Sequence, residues 1–204
     1  MKGFFLRDLD LILPNLKFSA AFLVIWGVVM FFSSSGPATF ILLYLAIFFT
    51  SSILGLFNYD EANHWQAYAA AIPGGRRAMV DGRYALSLLA AAVVTLLTAV
   101  SALLEREPAG LVIALLYGGL VLAAFDVMLP LSYRFGGTRS RTIMIVVVAG
   151  LAAAVAVLGS IGGMSALGGD VWMPAAGILM IAAGLAGAAV SRKISRNIME
   201  KKEL

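Results

Sequence analysis

Residues 84–104 read Tyr-Ala-Leu-Ser-Leu-Leu-Ala-Ala-Ala-Val-Val-Thr-Leu-Leu-Thr-Ala-Val-Ser-Ala-Leu-Leu, an uncharged run that starts directly after Arg83 and stops directly before Glu105. A helix rises about 1.5 Å per residue, so roughly 20 apolar residues cross the ~30 Å hydrocarbon core of a bilayer. Five similar blocks flank this one, and together they draw six spans: 18–32, 38–56, 84–104, 109–131, 142–164 and 173–190. Only one of them holds a charge, Asp126. Apolar residues make up 61% of the 204 positions and charged residues 13%, against about half and a quarter in a soluble domain. The expected fold is therefore all-α and integral to a membrane, with residues 1–204 forming one transmembrane domain.

The gaps between blocks alternate in charge. All but one of the 15 Lys and Arg fall on one side of the drawing: Lys2, Arg7, Lys17, then Arg76, Arg77, Arg83, then Arg134, Arg139, Arg141, then Arg192, Lys193, Arg196, Lys201 and Lys202. Arg106 alone lies opposite, between Glu105 and Glu107. Positive charge stays inside, which places both termini and the longer loops in the cytoplasm and leaves short outer loops at 33–37, 105–108 and 165–172. The net charge of +4 is thus a topology signal, and no continuous basic patch for nucleic acid is formed. Met1-Lys2-Gly3 is followed by Asp8 and Asp10 without a small-residue cleavage site, so no removed signal peptide is expected.

Within residues 1–17, Phe5, Leu9, Ile12, Leu13 and Leu16 share one helical face, and Gly3, Arg7, Asp10, Pro14 and Lys17 share the other. That pattern suits a helix lying in the membrane interface ahead of the first span. Pro14 speaks against a simple extension of the span, because a mid-helix proline costs about 3 kcal/mol. Small-residue steps at Gly159/Gly163 and Gly184/Ala188 let backbones approach closely, either within the chain or between two copies.

Catalytic chemistry has little to work with. The chain has no cysteine and one histidine, His64, too few ligands for a zinc site. Ser33, Ser34 and Ser35 lie across the bilayer from His64 by the topology above, out of reach for a nucleophile–base pair. No GxxxxGK[ST] loop is present, so no P-loop route to ATP hydrolysis exists in this chain. Asp126 is costly inside a span and is a functional candidate for that reason. Either it reaches the inner headgroups or a loop arginine, or it carries protons in a stand-alone secondary transporter.

The polar stretch 57–83 is the most informative. Asp60 can cap a helix running from about Glu61 to Ala71, which Ile72-Pro73 and Gly74-Gly75 then terminate. Trp65, Tyr68, Ala69 and Ile72 share a face of it. Such an aromatic ridge either sits among lipid headgroups or fills a groove on a partner.

At this loop the sequence resembles the ABC-2 type transporter permeases of Gram-positive bacteria, in particular small six-span permeases related to phenol-soluble-modulin exporters. The residues that carry the resemblance are Asp60-Glu61, Trp65, Tyr68, Ile72-Pro73-Gly74-Gly75-Arg76 and Arg83-Tyr84, with Gly3…Leu6-Arg7-Asp8-Leu9 at the start and Pro130-Leu-Ser-Tyr-Arg-Phe-Gly136 after the fourth span. Gly75 stands where a Ser is usual, Arg replaces Lys at positions 7, 83 and 134, and Ile72 replaces Leu. The resemblance implies two permeases, identical or paralogous, working with two cytoplasmic ATPases that bind ATP and magnesium. It makes 57–83 a coupling loop, with Asp60, Glu61, Trp65, Tyr68, Ile72, Pro73, Arg76 and Arg77 as its ATPase-coupling residues. It implies export across a bacterial plasma membrane of amphipathic or hydrophobic cargo, amphipathic peptides among them. The scarcity of polar groups in the spans fits such cargo better than a sugar or an ion.

Overall fold

The computed structural model describes residues 2–32, 37–105, 108–143, 145–146 and 172–202. Its helices include α1 (Lys2–Phe32), α2 (Pro37–Ala62), α3 (Trp65–Ala71), α4 (Gly75–Glu105), α5 (Pro108–Phe135) and α6 (Trp172–Lys201), and residues 137–143 are helical as well. The protein is all-α and multi-pass. Among the described residues, three stretches are long and apolar enough to cross a membrane, Gly75–Val100, Ala114–Phe135 and Ala175–Lys201. They overlap the expected third, fourth and sixth spans, with bounds shifted by up to 11 residues. The expected first and second spans fall within α1 and α2. The fifth lies almost wholly outside the described residues, as do Gly159/Gly163, the serines at 33–35 and Arg106. Large apolar side chains such as Leu96, Leu103, Ile178 and Leu179 stand more than 60% exposed, a surface that suits lipid rather than water.

Two sequence expectations need correction here. First, 1–17 is not a separate elbow: α1 runs unbroken from Lys2 to Phe32 with Pro14 inside it. Proline removes one hydrogen bond from the ladder, but the stretch ahead of it is held by packing. Asp8 and Ile12 are buried, and Phe4, Phe5 and Leu9 lie against the core. Gly82 of α4 lies against the α1 backbone, where a Cβ would stand in ordinary contact at 3.4 Å from the Phe5 nitrogen. The apolar face thus meets protein, although Leu13 remains exposed.

Second, Asp60 is not a helix cap. The second helix continues through Asp60 and Glu61 to Ala62, and α3 begins only at Trp65. Asn63 ends α2 by donating from its backbone and its side-chain amide to the Tyr59 carbonyl, at 3.1 and 2.8 Å. His64 then adopts the left-handed region at φ 52°, which histidine tolerates better than bulky residues do. The expected stop holds: α3 ends at Ala71, and Pro73 with Gly74 at φ 72° turns the chain into α4.

The most extensive helix pair is α5 with α6. Gly119 lies so close to α6 that a Cβ would come within 2.9 Å of the Met180 carbonyl oxygen, and Gly184 faces Leu122. Gly184 and Ala188 therefore serve packing within the chain. The core is concentrated at one end of the bundle, where Ile53 and Phe57 of α2, Met79 and Val80 of α4, Met128 and Tyr133 of α5 and Met199 of α6 gather beneath α3.

Candidate functional site

The three-residue turn between α3 and α4 and the two-residue turn before α3 make α3 a short bar mounted across the end of the bundle. Its inner side is fixed: Ala69 is fully buried and Gln66 nearly so. A Cβ on Gly75 would lie 2.3 Å from the Ala69 carbonyl oxygen, so only glycine allows α4 to start this close to α3. Outward, Tyr68 is 54% and Ile72 37% exposed. The expected ridge is therefore split. Trp65 stacks with Tyr68 at 4.7 Å between centroids but turns inward against the core, while Tyr68 and Ile72 face out.

Beneath α3 lies a buried ionic cluster. Arg83 of α4 has no exposed surface, and neither has Asp60 of α2; Asp8 of α1 is 1% exposed. The Arg83 Nη2 donates to Asp60 Oδ2, and its Nε lies 3.5 Å from Asp8 Oδ2, within ion-pair range but long for a hydrogen bond. Arg7 closes the ring by donating to Asp60 Oδ1 at 2.5 Å and to Asp8 Oδ1 at 3.2 Å. Two cations and two anions thus join three helices. Aromatic faces complete the shell: the Arg83 guanidinium lies 3.9 Å from the Phe57 centroid and 5.8 Å from that of Tyr133, and Arg7 lies 4.1 Å from Trp65. Stacking of this kind favours Arg over Lys. Burial pushes the Asp8 carboxyl above its ordinary value, and the opposing pull of Arg83 and Arg7 does not offset it.

A second set of contacts seats the end of α6. Asp81 accepts from Arg192 at 2.7 Å and from Arg196 at 2.9 Å. The Tyr84 hydroxyl bonds Ser191 and Ser195, and Ser191 donates to the Asp126 carbonyl. Arg76 donates to the Met199 and Glu200 carbonyls, filling acceptors left open at a helix end. Lys202 reaches Gln66 of α3 at 2.9 Å. Arg77 pairs with Glu200 at 2.6 Å in the open. These two, with Ile72 and Pro73, border a depression of about 480 Å³.

The remaining candidates sit as follows. Glu61 accepts from the Gly137 amide at 3.0 Å, and Gly136 is at φ 84° beside it, so Glu61 pins the turn after α5. Asp126 is half-buried at the α5–α6 seam with its Oδ2 against Gly187; among the described residues no arginine or lysine pairs with it. His64 serves a turn, and among the described residues no acidic or histidine cluster could hold a metal. Sequence reasoning passed over Arg7, Asp8 and Arg83 as site residues. A hint was available: each lies in a segment that carries the resemblance, and those segments meet at this one end.

No curated protein and no solved structure matches the sequence. The family model described as "ABC-2 family transporter protein" matches residues 3–200, which takes in the ionic cluster, α3 and nearly all of α6. The chain belongs to the ABC-2 transporter family, as a membrane permease of an ABC transporter.

Proposed function

We propose that this permease is an exporter subunit of a bacterial plasma membrane, moving amphipathic or hydrophobic cargo from the cytoplasm or inner leaflet, and that it couples to its ATPase through α3. Both termini and α3 face the cytoplasm in this reading, as the basic loops require. Two permeases and two ATPases form the working unit, and the ATPases hold ATP and magnesium. Closure of the ATPase dimer displaces α3 as a rigid bar, and the spans follow.

The observation that carries the reading is the split of α3. An exposed Tyr68 and Ile72 project from a base that buried charges and a glycine contact hold rigid. Exposed aromatic anchors on rigid supports are what dominate interfaces. Asp60 and Glu61 contribute by fixing that base, and Trp65 by packing against it. Pro73, Arg76 and Arg77 shape the rim.

Co-purification with the ATPase tests this. Tyr68→Ala is expected to weaken the complex by about 30-fold, the scale of an interface hot spot. Unchanged affinity in Tyr68→Ala combined with Ile72→Ala removes α3 as the docking element.

A further inference from the structure

Arg7 occupies a place that the docking reading leaves unexplained. Its side chain is 18% exposed and bridges two different objects. One is the buried carboxylate pair, through Asp60 Oδ1 and Asp8 Oδ1. The other is the inward ring of α3, since its guanidinium stands 4.1 Å from the Trp65 centroid, with the Tyr59 ring at 5.6 Å. The covalent exits from α3 lead to α2 and α4 only. α1 has substantial packing against α2 and α4 but not against α3, so a side chain must carry any direct link between them.

Resting on the permease reading above, we propose that Arg7 is a positioning residue for transport: it makes α1 a direct third output of the coupling bar, alongside α2 and α4. A planar guanidinium can stack on Trp65 and reach Asp60 and Asp8 with its two Nη groups at once. A lysine ammonium keeps the charge opposite Asp60 but offers neither plane nor fork. Movement of α3 then drags the start of α1 through a stack, while α2 and α4 follow through the chain itself.

The protein has no cysteine, so single labels are possible. Leu13 on α1 and Leu88 on α4 are 44% and 38% exposed. Each is replaced by cysteine in turn and labelled with an environment-sensitive fluorophore, in the full permease–ATPase complex in nanodiscs, and emission is read before and after trapping with ATP and vanadate. In the wild-type background both labels are expected to respond. Arg7→Lys is expected to cut the Leu13→Cys response at least about five-fold, as loss of the planar guanidinium stack on Trp65 implies, and to leave the Leu88→Cys response standing. Trp65→Leu, which removes the stack from the other side and leaves the ionic cluster whole, is expected to do the same and decides the matter where Arg7→Lys does not fold. Undiminished response at Leu13→Cys in these variants overturns the proposal, and so does equal loss at both labels. A parent that responds at Leu88→Cys alone overturns the proposal while the ATPase coupling stands. A parent silent at both labels overturns the coupling reading and this proposal with it.

Discussion

The two buried aspartates of the ionic cluster are not equivalent. Asp60 accepts from both arginines and is wholly enclosed. Removing one partner of a buried pair leaves a charge stranded and costs about 3–5 kcal/mol. Asp60→Asn is expected to lower the unfolding free energy in detergent by that amount. Asp8 differs because burial wins over its arginine neighbours and raises its pKa from 3.8. A carboxyl raised on folding stabilises fully below 3.8, and that contribution is lost as pH rises through the shifted value. The wild-type protein should therefore lose stability relative to Asp8→Asn as pH climbs through that window, as thermal unfolding at stepped pH would show. The opposite slope would mean that Arg7 and Arg83 outweigh burial. This cluster also marks where sequence reading stops. An aspartate ahead of an apolar helix looks the same whether it caps that helix or meets an arginine from a distant segment. Only the fold brings Arg83 and Arg7 to Asp60.

At the scale of elements, what was legible followed from local chemistry. The end of α3 was readable because Pro73 cannot continue a helix and Gly74 supplies the left-handed turn. The start of α3 was not, because the break at Asn63-His64 comes from a side-chain bond to Tyr59 and a strained histidine, neither of which has a strong sequence signature. The unbroken α1 was equally hidden, since proline weakens a helix by a known amount while its packing against α4 is nonlocal. Gly75 shows the reverse case, in which a departure from the resembling pattern becomes intelligible in three dimensions. With 2.3 Å between a notional Cβ and the Ala69 carbonyl oxygen, even alanine must push α3 and α4 apart. Gly75→Ala is expected to cost about 1–3 kcal/mol, as overpacking does, and to speed proteolysis of the stretch 63–74. An unchanged cleavage rate would mean that α3 is held by Lys202 and Arg7 rather than by its contact with α4.

At the scale of the whole molecule, the contacts gather chain ends that the charge pattern assigned to one side independently. Arg7 meets Asp60, Gly137 meets Glu61, and Arg76 meets the carbonyl of Glu200. The start of α1, the end of α2, the start of α4, the end of α5 and the end of α6 thus share one end of the bundle, and most of the basic residues are there. Which way that end faces decides whether an ATPase can reach α3. Positive charge resists translocation, so this end is expected on the cytoplasmic side. Tyr68→Cys would place the sole thiol at the exposed face of α3. An impermeant maleimide should modify it in inverted membrane vesicles and leave it untouched in intact cells. Bound ATPase should then protect it, because the reagent and the partner would compete for one surface. Modification from outside in intact cells would turn the bundle over, and no cytoplasmic motor could then grip α3.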